Sequence, residues 1–89
     1  MADTFLLEVA TPESPLVAEQ VSEAQIPAKG GYIGVLPGHA PLLSELGADK
    51  LTYTTGGHKR SLNVQGGWVE VTFDRVRVLA DEASREEAG

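Results

Sequence analysis

Apolar side chains return at every second position along most of this 89-residue chain. That spacing restricts the fold more than any other feature. Phe5, Leu7 and Val9 form one such run, Leu51 and Tyr53 a second, and Leu62 and Val64 a third. Val69, Val71 and Phe73 form a fourth, with Trp68, Glu70 and Thr72 on the opposite face, and Val76, Val78 and Ala80 a fifth. Successive side chains on an extended backbone point to opposite faces, so each run predicts a strand with one face inward. Proline or glycine interrupts the runs at residues 11–15, 27–31, 47–49, 55–58 and 65–67, and Asp74 allows a tight reversal. Short strands separated by turn signals about every 8–12 residues predict an all-β fold, an antiparallel sandwich or barrel. The pattern gives eight or nine strands.

Some segments are less sharply defined. Residues 16–21 and 22–26 read as weaker strands paired with each other, and residues 42–46 fit a strand or a helical turn. Residues 65–67, with Gly66 and Gly67, read as a turn. Asp81 to Ala88 looks helical, with Asp81 and Arg85 one helical turn apart. Alone it is too short to hold and is expected to fray. The chain thus divides into one sandwich domain, residues 1–80, and a short acidic tail, residues 81–89.

Composition excludes several function classes. With no cysteine there is no disulfide and no thiolate metal site. A net charge of −6 argues against a nucleic-acid partner, which needs a clustered positive surface. That charge is uneven: −6 over residues 1–49, +3 over residues 50–79 and −3 over residues 80–89. Such polarity can orient a partner. No run approaches the ~20 apolar residues of a membrane span. The start, Met1-Ala2-Asp3-Thr4, lacks the basic region of a secretory leader, so the cytosol is the default compartment.

Motifs for catalysis are absent. His39 and His58 stand nineteen residues apart with no companion ligands, where a metal site needs three or four. No serine sits in a G-x-S-x-G elbow and no phosphate-binding loop occurs. No catalytic residue, metal or cofactor is assigned. Trp68 and Tyr53 are candidates for stacking on a sugar in a small ligand- or carbohydrate-binding sandwich. Residues 31–46, GYIGVLPGHAPLLSEL, pose the sharpest question, because a lone histidine sits between two prolines. Pro37-Gly38 fits the central positions of a type II turn, and Pro41 drives Ala40 toward extended geometry. Val35, Leu36, Leu42 and Leu43 read as core beneath this corner. A stiff, partly polar corner on a buried base suits a docking surface. An active site would need partners for the imidazole that the sequence does not provide.

Three ordered motifs carry a family resemblance. Residues 34–43, GVLPGHAPLL, come first, then residues 61–71, SLNVQGGWVEV, then residues 76–81, VRVLAD. Together they resemble the ε subunit of bacterial and chloroplast F-type ATP synthases. The resemblance implies a ten-stranded β-sandwich and a non-catalytic place in the central stalk, between the rotating γ subunit and the ring of membrane c subunits. Synthesis and hydrolysis of ATP would occur in other subunits, and contact with the membrane would be indirect. The implied location is the cytoplasmic face of a bacterial membrane, or the stromal equivalent. On the family's pattern Thr11, His39, Leu42 and Ser44 would face γ, and the loop Lys29-Gly30-Gly31-Tyr32 would face the ring. Family members usually carry acids in that loop, where this chain has Lys29. The family continues past the third motif into a helical hairpin that can inhibit hydrolysis and in some members binds ATP. This sequence stops at Gly89, so neither activity is expected of it.

Overall fold

The computed structural model describes residues 3–85, all as strands and turns. The strands are β1 (Phe5–Ala10), β2 (Pro15–Val21), β3 (Glu23–Ala28), β4 (Gly31–Val35), β5 (Leu42–Glu45), β6 (Ala48–Thr55), β7 (His58–Val71) and β8 (Arg75–Arg85). Hydrogen bonding orders them β2-β1-β8-β7-β6-β3-β4, with β5 also on β7. All pairs are antiparallel except β1 with β8.

One creased sheet makes the sandwich. β7 pairs with β6 through its first half and with β5 through its second, and β8 follows it along both. The crease runs through Leu46–Gly47, Gly66–Gly67 and Asp81. At that line each strand carries one extra residue. On β8, for instance, Val76, Val78 and Ala80 face inward before it and Ala83 after it. Because all three strands add a residue together, the register is the same on both sides. β2, β1, β5 and the adjoining halves of β7 and β8 form one layer; β6, β3, β4 and the other halves form the second. Counting the two bent strands as halves gives the ten that the resemblance implies.

The layers meet again opposite the crease. Ser22 N–H donates to Thr54 C=O at 2.9 Å, Thr55 Oγ1 donates to Gln20 C=O at 3.0 Å, and the Tyr53 hydroxyl donates to Glu19 Oε2 at 3.3 Å. Leu7, Val9, Ile26, Leu51, Tyr53, Val69 and Val78 lie in the core between them, and no buried side chain among the described residues is charged. Burial and then the Glu19 carboxylate raise the Tyr53 phenol above its ordinary 10.0, since both disfavour the phenolate.

Several expectations are corrected here. Residues 65–67 are not a turn. The ladder continues through them, with Gly66 N–H donating to Gly47 C=O at 3.1 Å and Leu46 N–H to Gly67 C=O at 2.9 Å. Residues 81–85 are strand rather than helix, because the ladder on β7 satisfies their backbone while a two-turn helix would stand alone; residues 86–88 lie outside the described residues. β2 and β3 do not pair, because the chain changes layer at Ser22. Phe73 is exposed, since alternation ends at Val71 and Thr72 N–H closes the next turn on Arg75 C=O. Leu36 and Leu43 are exposed as well, Leu36 ahead of a turn and Leu43 on the outward face of β5.

Candidate docking surface

Pro37-Gly38 forms the turn its residues dictate, with Gly38 at φ +81°, the left-handed region a type II turn requires at that position. His39 follows, half-buried. Its Nδ1 lies 2.7 Å from the Ala40 carbonyl oxygen. Only an N–H makes that contact favourable, so Nδ1 carries the proton and a neutral ring leaves Nε2 as an acceptor. Among the described residues no carboxylate is bonded to this imidazole.

β5 then carries Leu42 and Ser44 inward, opposite Val71 and Val69. Leu42 packs on the core, and Ser44 Oγ donates to Glu45 C=O at 3.2 Å. Thr11 sits apart, in the turn after β1, where its N–H donates to Ser14 C=O at 2.9 Å and its Oγ1 accepts from Ser14 N–H at 3.3 Å. β7 and β8 lie between β1 and β5, so three strand spacings, roughly 14 Å, separate Thr11 from Ser44. His39, Leu42 and Ser44 form one group; Thr11 marks the far side of the same layer.

The loop expected to meet a membrane ring is tied to that group. Lys29 N–H donates to Glu45 C=O at 2.9 Å, and Lys29 Nζ lies 3.2 Å from Glu45 Oε2. Lys29 and Gly30 make the turn into β4, which Gly31 opens at φ +134°. Tyr32 is opposite Pro27 on β3, and its hydroxyl reaches across to donate to Lys50 C=O on β6 at 2.8 Å. Desolvation there, then the Asp49 carboxylate, raises its pKa above the ordinary 10.0, keeping it a neutral donor. Its hydroxyl is committed inside the domain, and its half-exposed ring is what a partner can touch.

Between Thr11 and β5 lies an outward patch of which the sequence marked only Trp68 as a candidate. Trp68 pairs with Glu45 on one side and Leu79 on the other. Trp68 is 51% exposed, Leu79 52% and Leu43 66%. Arg77 Nε and Arg75 Nη1 bracket Glu8 Oε1 at 3.4 and 3.9 Å beside this patch. The signal was in the period: Trp68, Leu79 and Leu43 occupy outward positions, where a large apolar side chain needs a reason. Tyr53, proposed with Trp68 as a sugar platform, is 2% exposed. It belongs to the core and no sugar can stack on it, so the two rings do not form the platform that the ligand-binding alternative supposed.

The described residues thus form a single creased sheet with an apolar outer patch and a histidine turn flanked by Pro37 and Pro41, and none of their buried side chains is charged. Residues 4–86 match the family described as ATP synthase, Delta/Epsilon chain, beta-sandwich domain, and this chain belongs to that family. It is 63% identical over 87 residues to the ATP synthase epsilon chain of Solibacter usitatus, covering 98% of this chain and 65% of that protein. It is 45% identical over 87 residues to that of Koribacter versatilis, covering 98% and 61%. The chain thus spans just under two-thirds of the length of these relatives. Among solved structures, a chain of the Euglena gracilis mitochondrial ATP synthase (OSCP/F1/c-ring, rotational state 1) superposes with a TM-score of 0.86 at 25% identity, covering 96% of this chain and 55% of that one.

Proposed function

We propose that this chain is the sandwich domain of a non-catalytic central-stalk subunit of an F-type ATP synthase. It joins the rotating γ subunit to the ring of c subunits and helps carry torque between ion flow and ATP synthesis, while catalysis proceeds in other subunits. The observation that carries this reading is the 63% identity with an ATP synthase epsilon chain across 98% of the sequence. The geometry supports it, because a shaft-gripping part needs stiff, presented contacts, and Pro37, Gly38 and Pro41 stiffen the corner that carries His39.

His39 meets γ from the stiff corner, Leu42 and Ser44, half-buried on the inner face of β5, are reached along that strand's open edge, and Thr11 contributes from the other side of the layer. Lys29, Gly30, Gly31 and the ring of Tyr32 face the c ring. The Lys29–Glu45 pair links the two contacts, so load on the loop passes directly into β5. Membrane contact is indirect, through the c ring, and the domain works at the cytoplasmic face of a bacterial membrane or its stromal equivalent.

Co-purification tests the proposal. Tagged γ subunit from the same organism should retain the 89-residue chain through size exclusion, and addition of Mg-ATP should leave the chain's melting temperature unchanged. Failure of γ to retain a folded chain overturns the reading.

A further inference from the structure

A cavity of about 580 Å³ opens where the crease meets the outer face of β5, β7 and β8. Trp68, Asp81, Gly66, Gly67, Lys29 and Glu45 are among the residues that line it. We propose that this crease is a socket for an arginine side chain presented by a protein partner, its guanidinium stacking on Trp68 and bonding the Asp81 carboxylate. The inference is independent of which subunit the partner is and goes beyond the γ and c-ring contacts assigned above.

Four observations converge on it. First, the Trp68 indole is half-exposed and lines the cavity, so its ring can be reached from solvent. Second, the Asp81 carboxylate lies over the crease in space that the absence of a side chain at Gly66 leaves open. A Cβ there would fall 2.6 Å from Asp81 Oδ2. Third, no hydrogen bond or ion pair reaches that carboxylate among the described residues, while the neighbouring Glu45 is already neutralised by Lys29 at 3.2 Å. The socket therefore has one unanswered negative charge, with Glu82 next in sequence and a chain net charge of −6 adding to the attraction. Fourth, Leu79 directly beside Trp68, and Leu43 beyond Glu45 on β5, extend the site as an apolar shelf. A shelf of that kind suits a side chain projecting from a surface better than a free small molecule.

Guanidinium is favoured over ammonium by its shape. It is planar and weakly hydrated, so it stacks on an indole face while its N–H fork meets a carboxylate edge-on. An ammonium can do either but is costlier to desolvate.

The chain has a single tryptophan, so its fluorescence reports this site alone. The 89-residue chain is titrated with Ac-Leu-Arg-Leu-NH₂, with the isosteric but neutral citrulline peptide, and with the lysine peptide. The arginine peptide should give a saturable change at millimolar concentration that weakens with salt. Citrulline should bind about tenfold more weakly, and Asp81→Asn should cost the arginine peptide a similar factor. Glu13→Gln, on a turn outside the socket, should change nothing. Equal binding of arginine and citrulline overturns the proposal even if Asp81→Asn fails to fold. Unchanged arginine binding by a folded Asp81→Asn, or no saturation, does the same. A lysine peptide that binds as well as arginine overturns the guanidinium assignment.

Discussion

Two glycine corners in this molecule look alike in the sequence and are opposites in the structure. Gly66–Gly67 lies at the crease, inside three hydrogen-bonded strands; Pro37–Gly38 lies in a free turn. A Cβ on Gly67 would fall 2.0 Å from the Leu79 carbonyl oxygen, at φ +110°, whereas one on Gly38, at φ +81°, would meet nothing within 4 Å. At the first corner backbone presses on backbone, so the glycine fixes where the sheet folds. At the second the glycine fixes only how the next residue is presented. The crease builds the sandwich, and the corner, on the function proposed above, presents His39 to γ.

The largest expected effect tests that contrast directly. Gly67→Ala must separate β7 from β8 at the crease, combining backbone overlap with a strained φ, and should cost about 3–4 kcal/mol or more. In a domain of this size that removes much of the stability. Gly38→Ala carries the φ penalty alone, about 1–2 kcal/mol. Urea denaturation of both variants gives the comparison, and equal losses would mean that the two corners do the same structural job.

The seam opposite the crease supplies a smaller effect with a distinct pH signature. Tyr53→Phe removes the hydroxyl bonded to Glu19 and should cost about 1 kcal/mol or less at neutral pH. The folded-state pKa of Tyr53 is raised, so its share of stability is fully present below the unfolded value of 10.0 and is lost as pH rises through the folded value. Wild type should therefore lose stability faster than Tyr53→Phe above about pH 10. Parallel alkaline limbs in the two urea-midpoint profiles would place the seam's hydroxyl in water.

How far the sequence discloses all this depends on the range of the interactions involved. The strands β1 and β6, the first half of β8 and the second half of β7 were legible because period-two burial is a local pattern: Leu7, Leu51, Val69 and Val78 each sit where alternation puts them. The type II geometry at Gly38 was legible for the same reason, being set by two adjacent residues. The crease was not. Gly-Gly permits positive φ equally in a hairpin and in a bent strand, and only the partners β5, β6 and β8, distant in sequence, decide which occurs. Asp81 to Arg85 misled similarly, since helical spacing is visible locally and the β7 ladder that overrides it is not. The site divides along the same line. Contiguous motifs pointed to His39 and β5, while the Trp68–Leu79 pair and the Asp81 carboxylate over Gly66 exist only through cross-strand register.

The smallest structural effect should come from the residue that first drew notice. Among the described residues the one side-chain hydrogen bond of His39 runs from Nδ1 to the carbonyl of its own neighbour, Ala40, and the turn is already stiffened by Pro37, Gly38 and Pro41. His39→Ala should therefore leave the urea midpoint within about 0.5 kcal/mol of wild type, as for a surface substitution away from packing. If the corner exists to present rather than to build, the same variant should bind γ several-fold more weakly, through the lost acceptor at Nε2 and the lost ring contact. His39→Asn, whose amide also offers an acceptor, should recover part of that loss. A variant that binds γ normally but unfolds early would reverse the assignment, placing His39 with the crease among the residues that hold the sheet in shape.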